Sequence, residues 1–169
     1  MANRAGILTQ ISVSDGGVPK RAVASAVIST EGVLGDRQRD LEHHGGPDRA
    51  VCLFSAELIE RLREEGHPIE PGSAGENLTI TGLDWAGVCP GARLRIGGDV
   101  VLEITGYTSP CRTIAGSFAG GDFSRISQKK HPGESRVYAK VVAGGMVRAG
   151  DDVRVIEGST VGGGGGGGF

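Results

Sequence analysis

Ala92-Arg93-Leu94-Arg95-Ile96-Gly97-Gly98-Asp99-Val100-Val101-Leu102-Glu103-Ile104-Thr105 is the stretch whose reading decides the fold. Leu94 and Ile96 alternate with Arg93 and Arg95, the period of a strand with one apolar face. Gly97-Gly98-Asp99 supplies turn chemistry before a second β-rich run, so the pair predicts a hairpin. Outward from it, similar short runs lie at residues 6–13, 23–29, 50–54, 78–81, 137–142 and 152–156. Turn residues separate them: Ser14-Asp15-Gly16-Gly17, Glu31-Gly32, Gly82 and Gly144-Gly145. Residues 55–65 read as a helix with Ser55 as N-cap, Leu58, Ile59 and Leu62 on one face, and Gly66 and Pro68 as stops. A second helix is predicted over residues 112–118, continuing brokenly past Gly120-Gly121. Short strands at roughly 8–12-residue spacing with few helices predict a mainly β fold, a barrel or sandwich rather than a βαβ sheet.

The 169 residues suit one domain with a real core. A net charge of −2 points to neither a nucleic-acid partner nor an anionic membrane. No apolar run reaches the roughly 18 residues of a membrane span, and the first residues lack the pattern of a signal peptide. Cys52, Cys89 and Cys111 are odd in number and without CxxC spacing, which disfavours a disulfide scaffold and leads to a cytoplasmic expectation. Seven glycines run from Gly162 to Gly168, and residues 158–169 are read as a flexible tail.

Three constellations could carry chemistry. Cys111 follows Pro110 and precedes Arg112 and a helix-compatible segment; a helix N-terminus beside a guanidinium favours the thiolate. The alternative is a structural thiol, the reading that suits Cys52 inside its apolar run. The second is Gly35-Asp36 followed by His43-His44-Gly45-Gly46-Pro47-Asp48-Arg49-Ala50-Val51. Its glycines would let a ligand approach the backbone, and Asp48 and Arg49 could orient or pair with an anionic group; otherwise it is a polar loop. The third is Pro71-Gly72-Ser73-Ala74-Gly75-Glu76-Asn77-Leu78-Thr79, whose Glu76 and Asn77 could hydrogen-bond a polar heterocycle or merely shape a turn. A histidine zinc site has little support from adjacent His43 and His44, and the signatures GxSxG and GxGxxG are absent.

In this order, Gly35-Asp36, His43 through Val51, Gly75 through Thr79 and Pro110-Cys111 resemble the MOSC domain, named for the C-terminal domain of molybdenum-cofactor sulfurases. Gly16-Gly17-Val18-Pro19-Lys20, Arg136-Val137-Tyr138-Ala139-Lys140 and Gly150-Asp151 are similar to stretches of small stand-alone members. The resemblance covers residues 6–157. It implies a closed β-barrel with a few peripheral helices and a molybdenum cofactor (molybdopterin) site, where Cys111 ligates molybdenum or carries sulfur as a persulfide. Asp36, His44, Gly46, Asp48, Arg49, Glu76 and Asn77 fall on its motif positions, with Arg112 beside the cysteine. Spacing makes His44 the family histidine, since it directly precedes Gly45-Gly46.

Three functions follow as expectations from the resemblance. One is an oxidoreductase reducing an N- or S-oxygenated small molecule, served by an electron-transfer partner. Another is a sulfur carrier loaded by a cysteine desulfurase or sulfurase. The third is a non-catalytic small-molecule barrel. PLP is not expected within this chain, which lacks the sulfurase domain of the eukaryotic proteins. It also lacks the C-terminal helical extension of some bacterial reductases that act on N-hydroxylated bases.

Overall fold

A computed structural model describes residues 5–36 and 46–157. The predicted tail and His43-His44-Gly45 lie outside the described residues. The strands are β1 (Ala5–Val13), β2 (Arg21–Val23), β3 (Ser25–Ser29), β4 (Gly32–Val33), β5 (Val51–Ser55), β6 (Leu78–Thr81), β7 (Arg93–Ile96), β8 (Val100–Tyr107), β9 (Val137–Ala143), β10 (Gly145–Arg148) and β11 (Asp152–Glu157), with one α-helix among the described residues, α1 (Ala56–Glu64). The fold is mainly β.

The sheet runs β11-β7-β8-β9-β5-β6-β1 and closes where β1 pairs again with β11, giving a seven-stranded barrel. The hairpin of β7 and β8 forms as its alternation requires, with Leu94 opposite Leu102 and Arg93 opposite Glu103. In a closed barrel alternate residues point inward. Leu94, Ile96, Leu102, Ile104, Val137, Ala139, Leu53 and Leu78 are buried in one core, whereas Arg95 and Arg154, on the other face of their strands, are exposed. Fully burying each leucine or isoleucine contributes roughly 1.5–3 kcal/mol, so this inward row is what holds the ring closed.

Ser55 caps α1 as its sequence predicts, its Oγ accepting from the Leu58 amide at 3.1 Å. Leu58, Ile59 and Leu62 turn their face to the barrel. The helix carries the chain from β5 to β6, which lie parallel, so one βαβ crossover sits within an otherwise antiparallel ring. The run predicted over residues 23–29 divides at Ala24. Its first part, with Arg21 and Ala22, pairs with β1 as β2, and the rest leaves the barrel as β3 to join β10 and β4 in a three-stranded flap. The turn expected at Gly144-Gly145 opens directly into β10. The helix predicted over residues 112–118 is instead a 3-10 turn, Arg112–Ser117, followed by two more such turns. Thr113, Ile114 and Gly116 are poor α-helix formers, and Gly120 has φ of 64°. No helix among the described residues is long and apolar enough to cross a membrane.

Candidate functional site

Val51 and Leu53 face the barrel core, so Cys52 between them faces outward, beside its register partner Tyr138 on β9. This outward face is covered: Cys52, Glu76, Asn77, Thr79 and Tyr138 are all buried. The excursion from β8 to β9, residues 108–136, lies beside it. Thr108 donates its amide to the Arg136 carbonyl at 3.0 Å, and its hydroxyl sits 3.7 Å from the Cys52 sulfur. Ser117 donates to the Ser73 carbonyl at 3.1 Å, while Ile114 and Phe118 enter the core. Arg125 clamps the excursion to the end of α1, with Nη2 and Nε both 2.9 Å from the Glu65 carboxylate and Nη1 2.7 Å from Glu134.

Beneath Cys52 lies a buried polar clasp. Asn77 accepts the Cys52 amide at 3.0 Å and donates to Asp36 at 2.9 Å and to the Ser12 carbonyl at 3.2 Å. Asp36 in turn accepts the Ser14 amide at 2.9 Å and both oxygens receive the Lys20 ammonium, at 2.8 and 2.7 Å. Four segments, residues 12–20, Asp36, Cys52 and Asn77, are thereby tied at one point. The predicted site residues Asp36 and Asn77 thus have their hydrogen-bonding groups occupied within the fold.

Glu76 is fully buried. Its Oε2 accepts from the Gly72 amide at 2.8 Å and the Thr79 hydroxyl at 3.1 Å, while Oε1 has no partner among the described residues. Burial pushes its carboxyl up from 4.5, opposed by the Gly72 hydrogen bond and, less strongly, by the Arg136 charge. A carboxyl raised in the folded state binds its proton more tightly there than in the unfolded chain. Stability from Glu76 is therefore fullest below 4.5 and falls as pH rises through the higher folded value. Glu76→Gln copies the protonated form. Its melting temperature should gain on the wild type from acid to neutral pH; parallel melting curves across that range would refute the assignment.

Cys111 is half-buried, its sulfur 2.9 Å from the Thr113 hydroxyl. It stands at the head of a six-residue 3-10 turn, so the aligned α-helical dipole expected behind it is not built. Its electrical neighbourhood is read at Tyr138. Burial pushes that hydroxyl well above the usual tyrosine range, a charge on Cys52 pushes it the same way, Arg136 and then Arg49 pull it down, and Cys111 pushes it up again. Arg49 lies 5.8 Å over the Tyr138 ring. Burial likewise lifts the Cys52 thiol, against the pull of Arg136.

The predicted residues therefore divide. Arg49 lies over the Tyr138 ring, Cys111 is half-buried at the head of its turn, and the Asp36, Glu76 and Asn77 side chains are buried. Gly46 is exposed at φ 94° with open space about it, and Asp48 is exposed, its carbonyl accepting the Thr105 hydroxyl. Arg112 is exposed beside Cys111, and His44 lies outside the described residues. Reading the sequence by itself left Lys20, Thr108, Arg136 and Tyr138 without roles. Arg136 and Tyr138 stood in a stretch similar to small family members, and a charged residue directly before the apolar run of β9 was the further signal for Arg136. Among the described residues no group of three or more His, Cys, Asp and Glu could hold a metal ion. An open depression of about 320 Å³ between Arg95, Asp151, Asp152 and Arg154 shares no residue with this cluster.

The MOSC domain family model matches residues 40–154. The chain is 33% identical over 142 residues to the uncharacterized protein YflK of Bacillus subtilis (strain 168), covering 83% of this chain and 63% of that one. It is 30% identical over 134 residues to a protein named "Reductase" from Gibberella moniliformis, covering 76% of this chain and 23% of the other. It thus spans less than two thirds of either relative's length. The crystal structure of the YUAD protein from Bacillus subtilis shares the fold with a TM-score of 0.70 at 18% identity, over 92% of this chain and 98% of that one.

Proposed function

Because the chain belongs to the MOSC domain family, we propose that it binds the molybdenum cofactor with Cys111 as the protein's ligand to molybdenum and reduces N- or S-oxygenated small molecules. The observation that carries this reading is that the excursion bearing the half-buried Cys111 sets Thr108 3.7 Å from the Cys52 sulfur, and that Tyr138, the register partner of Cys52, has Arg49 5.8 Å over its ring. The name of the fungal relative supports the reductive sense.

The donor set fits the group. One thiol and no carboxylate or imidazole cluster among the described residues is what suits a metal that arrives with sulfur ligands of its own. Bound there, the cofactor would supply a two-electron redox centre. The chain's residues do the rest. Cys111 would give the soft sulfur donor, with the Thr113 hydroxyl 2.9 Å away to orient it. The exposed guanidinium groups of Arg49 and Arg112 match a pterin phosphate. Tyr138 keeps its proton through the physiological range, because burial disfavours its anion, and remains a hydrogen-bond donor. Electrons would come from a separate electron-transfer partner.

Elemental analysis of protein from a host that makes the cofactor tests this. Wild type should carry molybdenum in stoichiometric amount and Cys111→Ala none, with the melting temperature of the variant within a few degrees of wild type. A metal-free protein whose Cys111 gains the mass of one sulfur from a cysteine desulfurase would replace the proposal with the sulfur-carrier function.

A further inference from the structure

His67 follows the Gly66 that stops α1 and reaches the excursion of residues 108–136 with its ring. Nδ1 accepts the Ala119 amide at 3.0 Å, and the imidazole meets the buried Phe118 ring edge-on, with centroids 5.4 Å apart. A backbone amide can only donate, so Nδ1 is bare and the neutral ring carries its proton on Nε2. The side chain is 11% exposed. Ala119 stands at the junction between the 3-10 turn headed by Cys111 and the next such turn. The charged groups around the ring come from both sides of this contact. From the end of α1, Glu65 sets Oε1 3.7 Å from Nε2. From the excursion, Arg125 already binds both Glu65 oxygens at 2.9 Å, and Glu134 and Arg61 stand beyond it. A proton taken up by the neutral ring must enter at Nδ1, on the side of the Ala119 amide. Glu65 faces the other nitrogen, so its attraction for the charge does not replace the lost hydrogen bond. Ala119 is exposed, and its amide can turn to water once the acceptor is gone.

We propose that His67 is a proton-operated latch on the excursion, closed on the Ala119 amide when the ring is neutral and open when Nδ1 is protonated. One lone pair cannot hold both the proton and the amide. Histidine side chains change charge between about pH 5 and 8, so acidification loosens the junction behind the Cys111 turn. The root of the excursion stays in place, because the buried Thr108 gives its amide to the Arg136 carbonyl at 3.0 Å. The latch goes beyond the proposed function and does not depend on what Cys111 binds.

The test follows two signals of the full-length chain as pH is lowered from about 8 to about 5. One is the nitrogen shifts of the His67 ring; the other is the hydrogen-exchange protection of the Ala119 amide, corrected for the pH dependence of free-amide exchange. Ala119 should begin protected and lose about tenfold or more of that protection along the curve on which His67 takes up its proton, while Thr108 keeps its own. His67→Asn places a carboxamide oxygen near the position of Nδ1 and does not titrate, so Ala119 should hold its protection throughout. An Ala119 amide unprotected at the start, or protection unchanged across the His67 titration, would overturn the proposal. So would a ring that stays neutral over the whole range, an equal loss at Thr108, or a loss in folded His67→Asn equal to that of the wild type. If the asparagine variant does not fold or leaves Ala119 unprotected, the wild-type curves decide alone.

Discussion

Asp36→Ala is expected to cost about 3–5 kcal/mol of folding stability, the range for removing one partner of a buried ion pair. Lys20 and Asp36 side chains are only 7% and 5% exposed, so the ammonium left behind has little access to water and no other ion-pair partner among the described residues. The Ser14 amide and the Asn77 side chain lose an acceptor at the same stroke. Urea unfolding measures the loss, and a double-mutant cycle locates it: Asp36→Leu with Lys20→Met should be more stable than Asp36→Ala alone. A cost below about 1 kcal/mol, as for a surface pair, would show that water reaches the clasp.

Gly72→Ala should destabilise by about 2–5 kcal/mol, and for a different reason. Gly72 has φ of 89°, where an L side chain costs about 1–2 kcal/mol. A methyl there would stand 2.6 Å from the Lys20 carbonyl oxygen and 2.9 Å from the Ser12 hydroxyl, and such overlap adds about 1–3 kcal/mol. The Gly72 amide also serves Glu76, and its carbonyl accepts from the Lys20 amide at 3.0 Å. The backbone shift that relieves the clash therefore disturbs both buried acids. Thermal melts of Gly72→Ala and Gly66→Ala give the comparison, because Gly66 has a similar φ of 100° but open space around it. Equal losses at the two positions would mean that conformation alone matters and the close approach does not.

The legible parts of this fold were those set by neighbours along the chain. Alternation in β7 and β8, the N-cap at Ser55 and the stop at Gly66 are short-range physics, and all appear where expected. Boundaries failed where one run serves two sheets. Nothing local in residues 21–29 says that Val23 pairs with β1 while Ser25 pairs with β10, since both ends are equally β-rich. The turn over residues 112–117 failed differently: the stretch after Pro110-Cys111 was read as a helix, but its β-branched and glycine residues favour the tighter coil. At the site, Cys111, Glu76 and Asn77 stood out by type and setting. Which of them are occupied in holding the chain together depends on Lys20, Thr108 and Arg136, brought in from other strands and loops. Asp36 carries this lesson best, because its acidic side chain stands beside a glycine-marked turn and its lysine partner lies 16 positions earlier.

The seam between β1 and β11 has a consequence for synthesis. Ala5 lies opposite Arg154, so the ring joins the first described strand to the last. On the ribosome β1 emerges first, and it can pair with β2 and later with β6, but one edge of its leading half waits until almost every other described residue has been made. That edge is a row of unsatisfied amides and carbonyls until then, and such edges recruit foreign strands. Nascent chains arrested before β11 leaves the exit tunnel should therefore bind chaperones strongly, and release them once the closing strand is free.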